Sequence, residues 1–413
     1  MTYRIIAPQR IEARIGLPSS KSISNRALVL HALAGGANVP ENLSDCDDTM
    51  VMIRALKDKP EVVDILAAGT AMRFLTAYYC ITPGTRIITG TQRMKHRPIS
   101  ILVEALRSLG ASIDYVEAEG FPPLRITGKA LKGGEVSLEG SVSSQYISAL
   151  LMMGGALPEG LTLHLTGNIV SRPYIELTMQ LMRDFGGEVS WISADSIHVK
   201  GGGYQDTTYY IESDWSAASY WYEMVSLCED AQVTLPGLFE HSYQGDSQGA
   251  RLFEQLGVKT CFTENGVVLT KSANCTNNLV SDLVEIPDLA QTFVVTCCMK
   301  GVPFRFTGLQ SLRIKETDRI NALTTELRKL GFVLKAEGDE ALSWEGERCS
   351  AEPHPVIATY EDHRMAMTFA PVALIRGEIE IANPEVVSKS YPRFWEDLQR
   401  GGFKLKLENY DAG

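Results

Sequence analysis

A glycine that ends a helix recurs at nearly constant intervals along this chain, and that period constrains the fold more than any single motif. The pattern is a helix closing on a Leu-rich turn and a glycine, then a short alternating strand. It occurs at Leu106-Arg107-Ser108-Leu109-Gly110, Met182-Arg183-Asp184-Phe185-Gly186, Phe253-Glu254-Gln255-Leu256-Gly257 and Arg328-Lys329-Leu330-Gly331, and more loosely near Gly401-Gly402. The glycines lie roughly 71 to 76 residues apart. Each suits the left-handed position just past a helix, which costs glycine nothing and most other residues a steric penalty. A second helix type keeps step about 40 residues upstream, as in Gln145 to Met153, Ala290 to Met299 and Met365 to Ile375. These stretches are apolar nearly all round, so they belong inside the molecule.

Each buried helix opens on polar residues: Lys21-Ser22, Gly69-Thr70, Ser143-Ser144, Ser213-Asp214, Pro287-Asp288 and His363-Arg364. Six such helices, each with an amphipathic companion and short strands, imply six related βα units. The first unit is shortened, since Lys21 and Gly69 are only 48 residues apart. The fold class expected is α/β, with two domains of three units. Their extents are 1–14 plus 212–413 and 15–211, the change near Ile211 to Asp214 resting on the period alone.

With 413 residues, 45% hydrophobic and 22% charged, the chain can build two sizeable cores and has ordinary globular composition. A net charge of −11 argues against nonspecific binding to nucleic acid or an anionic membrane, both of which reward surplus Lys and Arg. The N-terminus lacks a basic segment leading into an apolar stretch, and no apolar run of about 18 residues occurs, so neither export nor a membrane span is expected. The eight scattered cysteines, with Cys297-Cys298 inside an apolar run, suit a reducing, cytoplasmic setting. Phosphate-loop, dinucleotide and zinc-protease signatures are absent from the sequence, as are Cys-x-x-Cys pairs, so no metal or cofactor is expected. The acidic run Asp45-Cys46-Asp47-Asp48 reads as ion-pairing rather than cation-binding.

In an acidic protein, local clusters of cations need their own explanation. The N-terminus of a buried helix carries free N–H groups and about half a positive charge, which favours anions. Lys21 and Ser22 stand at one such start with Arg26 a turn later; Gly69 and Thr70 at the next, followed by Arg73. Arg93-Met94-Lys95-His96-Arg97 gathers three fixed cations, and Ser143-Ser144-Gln145 offers hydroxyls and an amide at the mouth of the most apolar helix. Ser171-Arg172-Pro173-Tyr174 precedes another helix, and Arg313-Ile314-Lys315-Glu316-Thr317-Asp318-Arg319 alternates in sign ahead of the helix Ile320 to Leu330. There Arg313, Lys315 and Arg319 can hold anions while Glu316 suits proton transfer. His363-Arg364 and Ser388-Lys389 add late cations. Taken singly, each motif also reads as a capped helix start or a solvated charge run.

Taken together, Ser20-Lys21-Ser22 with Asn25-Arg26, Ala68-Gly69-Thr70-Ala71-Met72-Arg73, Ser141-Val142-Ser143-Ser144-Gln145, Arg313 to Arg319 and Asp362-His363-Arg364-Met365-Ala366-Met367 resemble the 5-enolpyruvylshikimate-3-phosphate synthase family, in its order and over almost the whole chain. The resemblance implies a two-domain inside-out α/β barrel, each domain of three β-α-β-α-β-β units with helices inside and sheets outside, and an active site in the interdomain cleft. It implies transfer of the enolpyruvyl group of phosphoenolpyruvate to the 5-hydroxyl of shikimate 3-phosphate by a monomer without cofactor or metal. By matching positions, phosphoenolpyruvate is held by Lys21, Gly69, Arg97, Gln145, Arg319, Arg364 and Lys389. Shikimate 3-phosphate is held by Ser22, Arg26, Ser143, Ser144, Gln145, Ser171, Tyr174, Asp288, Ser311 and Lys315. Asp288 is the expected base, Glu316 the acid, and Lys21 stabilises the transferred charge. Because these residues fall on both halves of the chain, closure on the first substrate is expected to assemble the second site.

The chain departs from the family pattern at Ser19, Ala67, Phe74 and Ser311, and the stretch from Lys57 to Ala67 is shorter than usual. Two alternatives stand beside this reading, an enolpyruvyl transferase acting on a nucleotide sugar and a catalytically silent phosphometabolite sensor. Ser-Ser-Gln and Lys-Glu-Thr-Asp-Arg weigh against the first, and the intact Asp288 and Glu316 against the second.

Overall fold

The computed structural model describes residues 1–141 and 143–408; Val142, part of the serine-rich motif above, lies outside the described residues, as do residues 409–413. The chain divides into two compact units, Ser19–Glu212 and Met1–Pro18 with Ser213–Gly413. The first crossing falls beyond the boundary expected after Arg14, because Ile15 and Leu17 are still buried in the core of the larger unit.

Among the described residues, seven helices belong to the smaller unit: α1 (Lys21–Ala34), α2 (Asp47–Asp58), α3 (Gly69–Cys80), the single-turn α4 (Gln92–Lys95), α5 (Ser100–Ser108), α6 (Ser144–Gly155) and α7 (Arg172–Asp184). Every residue of α3 is buried, and α6 is buried from Tyr146 to its end. With α1 they make an inner layer, while α2, α5 and α7 bury one face only. Two sheets of four strands flank this layer. One runs in the order Val62–Asp64, Gly84–Thr89, Leu124–Gly128, Ser112–Tyr115, and the other Gly134–Glu139, Leu161–Thr166, Ser196–Val199, Val189–Trp191. In both, the first pair is parallel and the next two antiparallel.

The larger unit repeats the design with α8 (Trp215–Leu227), α9 (Gly249–Glu254), α10 (Ala290–Lys300), α11 (Arg319–Lys329), α12 (His363–Phe369), α13 (Ala373–Arg376) and α14 (Phe394–Arg400). It has three four-stranded sheets, each with the same parallel, antiparallel, antiparallel sequence of pairs. The expected inner helices α8, α10 and α12 are buried almost throughout, and Cys297 and Cys298 are core residues at 0% exposure.

The glycines of the period take the left-handed backbone expected of them, with φ of 96° at Gly110, 78° at Gly186, 91° at Gly331 and 95° at Gly402, each just past a helix, whereas Gly257, at 85°, lies inside the strand Leu256–Thr263 because α9 already stops at Glu254. One expected helix is not continuous. Met365 to Ile375 breaks into α12, a 3-10 turn at Ala370–Val372 and α13. Pro371 explains the break, since it has no N–H to give to the helix ladder and its ring crowds the preceding turn. Among the described residues, no helix is long and apolar enough to cross a membrane.

Candidate active site

In the larger unit, α11 begins beside α12 and the 3-10 turn Pro287–Leu289 that leads into α10, and a connected set of charges forms there. Arg319, at 1% side-chain exposure, is the hub. Its Nε donates to Asp362 Oδ2 at 2.7 Å, its Nη1 to Asp288 Oδ1 at 3.2 Å, and its Nη2 to Glu316 Oε2 at 3.1 Å. Burial alone would lower the Arg319 pKa, but Asp362, Glu316 and Asp288 around it hold it raised. Asp288 also receives Arg364 Nη2 at 2.9 Å and lies 3.5 Å from Lys315 Nζ. Glu316 receives Lys389 Nζ at 2.7 Å. Two carboxylates, with side chains 20% and 14% exposed, are thus each held by at least two cations. Local capping sets this up: Asp318 accepts from Asn321 N to start α11, and Asp362 accepts from Arg364 N to start α12, while also gripping Arg319.

Burial pushes the Lys315 pKa down, opposed by Asp288. Arg364 also donates to the Tyr220 hydroxyl at 3.3 Å, and burial raises that phenol to about 12. Charges this far out of water interact several-fold more strongly than surface pairs.

The smaller unit brings a second set together at the first turns of α1, α3 and α6. Arg26 is 2% exposed, and its guanidinium donates to Thr178 Oγ1 at 2.7 Å, Ser148 Oγ at 3.2 Å and Ser22 O at 2.9 Å. Among the described residues no carboxylate pairs with it, and burial lowers its pKa to about 10. A buried cation held by hydroxyls and a carbonyl is well prepared to receive an anion. Lys21 at the start of α1 sits 3.3 Å from the buried Asp48. Gln145 Nε2 donates to Thr70 Oγ1 at 3.3 Å, tying the start of α6 to that of α3. Tyr146 donates its hydroxyl to Pro98 O at 2.6 Å, fixing the loop just after Arg97. Gly69 has a steric role here, because a Cβ on it would lie 2.7 Å from Arg97 Nη1 and 3.2 Å from Arg73 Nη1.

A family model described as EPSP synthase (3-phosphoshikimate 1-carboxyvinyltransferase) matches residues 5–58 and 57–398. The chain belongs to the EPSP synthase family. A relative named 3-phosphoshikimate 1-carboxyvinyltransferase from Bacteroides fragilis is 61% identical over 407 residues, covering 98% of this chain and 99% of the relative. One of the same name from Escherichia coli strain SMS-3-5 is 37% identical over 419 residues, covering 95% and 96%. A solved structure of EPSP synthase from Acinetobacter baumannii shares the fold, with a TM-score of 0.76 at 21% identity, covering 98% of this chain and 100% of that one. The two units described above, with helices inside and sheets outside, are the α/β architecture of EPSP synthases.

Against that family frame, Asp288, Lys315, Glu316, Arg319, Arg364 and Lys389 form a single network in the larger unit, with Ser311 half-buried in the preceding 3-10 turn Gln310–Ile314. In the smaller unit Ser143 caps α6 by accepting from Gln145 N, and Ser144 opens that helix. Ser171, left-handed at φ 54°, starts α7, and Tyr174 O accepts from Thr178 Oγ1, the same hydroxyl that holds Arg26.

Some expected anion-holding cations are engaged elsewhere. Arg313 pairs with Asp318 at 2.8 Å and with Asp339 at 2.5 Å, and Arg172 lies over the Trp191 ring at 4.1 Å. In the run Arg93 to Arg97, Lys95 pairs with Glu117 at 2.7 Å and Arg93 is exposed, leaving Arg97 as the cation beside Gly69. Sequence reasoning did not assign Asp362, Asp48, Tyr220, Ser148 or Thr178. Asp362 stood in a quoted motif and Asp48 in the acidic run read as ion-pairing. Nothing in the sequence singled out Ser148 or Thr178. Among the described residues, no group of three or more His, Cys, Asp or Glu is arranged to hold a metal ion.

Proposed function

We propose that this chain transfers the 1-carboxyvinyl (enolpyruvyl) group of phosphoenolpyruvate to the 5-hydroxyl of shikimate 3-phosphate, releasing phosphate, as the names of its full-length relatives indicate for them. The observation that carries the reading is the pair of carboxylates, Asp288 and Glu316, held from different elements by the one buried guanidinium of Arg319. The reaction needs two proton transfers of opposite sense. Asp288 takes the proton of the 5-hydroxyl as its oxygen bonds to C2 of phosphoenolpyruvate, while Glu316 gives a proton to the C3 methylene. The tetrahedral adduct then loses phosphate as Glu316 takes a proton back from C3, restoring the double bond, and the proton held by Asp288 passes to the departing phosphate.

The substrates together bring two phosphates and two carboxylates, so cations must outnumber acids where they bind. Phosphoenolpyruvate engages Lys21, Gly69, Arg97, Gln145, Arg319, Arg364 and Lys389, with Lys21 stabilising charge on the departing phosphate. Shikimate 3-phosphate engages Ser22, Arg26, Ser143, Ser144, Gln145, Ser171, Tyr174, Asp288, Ser311 and Lys315. In this assignment an anion taking up Arg319 and Lys389 competes with Glu316 for them, which leaves that carboxyl able to carry the proton it donates.

The test is phosphate release from phosphoenolpyruvate with shikimate 3-phosphate as acceptor, run beside a nucleotide sugar. Release with the first acceptor only is the expected result, and Glu316→Gln lowers kcat about 100-fold or more while shikimate 3-phosphate still binds. Turnover with the nucleotide sugar alone would overturn the substrate assignment, and an unchanged kcat in the variant would remove Glu316 as the acid.

A further inference from the structure

Glu326 is the one acid of α11, and none of the roles above uses it. It follows Arg319 by seven residues, two turns along, so both side chains leave the same face of the helix. At 0% side-chain exposure it takes three donors. Lys329 Nζ at 2.7 Å and Ala358 N at 3.1 Å meet Oε2, and the Tyr360 hydroxyl meets Oε1 at 2.6 Å. Lys329 reaches on to Val356 O at 2.9 Å. The segment that enters α12 is therefore tied to α11 at two places, over 356–360 by Glu326 with Lys329, and at Asp362 by Arg319.

Between those places the backbone is strained. Asp362 N donates to Thr359 O at 2.8 Å, closing a turn whose central residues, Tyr360 and Glu361, have φ of 55° and 57°. Positive φ at both central positions is the geometry of a type I′ turn, which favours Asn, Asp and Gly. A tyrosine and a glutamate bear a steric cost there, and such residues persist only where their surroundings hold them. Glu326 supplies that hold on either side of Thr359, which is itself 0% exposed.

What the turn delivers is Asp362. Its Oδ2 receives Arg319 Nε at 2.7 Å, and its Oδ1 receives Arg364 N at 2.9 Å as the cap of α12. A shift of the turn would move both the acceptor that orients Arg319 and the cap that sets where Arg364 leaves its helix.

We propose that Glu326 and Tyr360 are positioning residues: their hydrogen bond holds the strained turn 359–362 in the form that aims Asp362 at Arg319, and so keeps Arg319 and Arg364 set for an anionic substrate. Among the described residues, no hydrogen bond or ion pair joins either of them directly to Arg319, Asp362 or Arg364, so they act through the turn. The inference rests on the reading of Arg319 and Arg364 as phosphoenolpyruvate ligands.

The experiment measures KM for phosphoenolpyruvate, kcat and melting temperature in the unaltered protein, Tyr360→Phe, Glu326→Gln, Arg364→Ala, and Tyr360→Phe combined with Glu361→Gly. Tyr360→Phe removes one hydroxyl from an exposed ring, and KM for phosphoenolpyruvate is expected to rise at least about fivefold with a smaller change in kcat. Glu361→Gly in the same chain brings KM back toward the unaltered value, because glycine takes a positive φ without being held there. Glu326→Gln raises KM further, since its amide offers one acceptor oxygen where three donors converge.

A bond that serves stability alone would lower the melting temperature of Tyr360→Phe and leave KM unmoved, and that result overturns the proposal. A raised KM that Glu361→Gly fails to restore overturns it too, since the strained turn would not be what the bond holds. Tyr360→Phe and its double variant carry the test alone if Glu326→Gln does not fold. A KM indifferent to Arg364→Ala sinks the ligand reading and this role with it. A raised KM in Arg364→Ala beside an unmoved one in Tyr360→Phe sinks only the role of Glu326 and Tyr360.

Discussion

In the proposed phosphoenolpyruvate assignment, the absence of a side chain at Gly69 counts as much as any cation of the smaller unit. A methyl group there would meet Arg97 Nη1 at 2.7 Å, closer than carbon and nitrogen pack, and Arg73 Nη1 at a tight 3.2 Å. Both obstacles are tips of flexible side chains, so Gly69→Ala is expected to fold normally and to displace the Arg97 guanidinium. The loss of one charge-assisted hydrogen bond of about 1.5 kcal/mol corresponds to an increase of roughly tenfold in KM for phosphoenolpyruvate, with little change in melting temperature. An unchanged KM would mean that Arg97 does not contact the substrate. At this scale the cations were legible in the sequence because the overall composition of an acidic chain does not account for several clusters of Arg and Lys at helix starts. Their partners were not. Thr178 and Ser148 reach Arg26 across 152 and 122 residues, and no local pattern reports a pairing of that kind.

The inner helices carry a stability term that their apolar appearance hides. Glu223 lies within α8 at 0% exposure, and burial pushes its pKa well above the usual 4.5, only partly offset by Thr296. A carboxyl whose pKa is raised in the folded state binds protons there that the unfolded chain has released. Its contribution to stability is therefore present below about pH 4.5 and is lost as pH rises through the folded value. Glu223→Gln keeps the shape and removes the titration. The melting temperature of this variant relative to the unaltered protein is expected to increase as pH rises above about 4.5. A constant difference across that range would show that Glu223 is not held neutral. Element types and their order were readable because a helix that is apolar all round has one place to go. The break at Pro371 was present in the sequence but was outweighed by the apolar run on either side. The end of α9 at Glu254, ahead of a strand already begun at Leu256, was masked by the similarity of Phe253 to Gly257 to the other helix ends.

Among the described residues, five of the six repeated units keep a four-stranded sheet, and the unit built on α1 and α2 does not. Among its described residues the sheet is reduced to one parallel bridge, Glu41 with Tyr210, the counterpart of the parallel pair in the other units. The chain runs from α2 into Val62, already a strand of the next sheet, so the two antiparallel strands have no residues to form them. The short interval between Lys21 and Gly69 foretold a shortened unit, but spacing could not say which strands were lost. What replaces the missing ladder is a set of side-chain bonds. Asp206 accepts from Ala37 N and Asn38 N, both at 3.0 Å, and Asn42 donates to Ile211 O at 2.8 Å. A Cβ on Gly36 would lie 2.0 Å from Asp206 Oδ1, so the segment fits only with glycine at that position.

Asp206→Ala removes both acceptor bonds from an exposed segment with one backbone bridge left to hold it. Local opening is expected to become easier by about 1 kcal/mol or more, so amides 37–42 exchange with solvent at least about fivefold faster. Amides of the Leu161–Thr166 strand, held in a full sheet of the same unit, keep their protection. Equal acceleration in both places would mean that the carboxylate supports the whole unit rather than replacing a missing sheet. Unchanged exchange at 37–42 would mean that the single bridge holds the segment by itself.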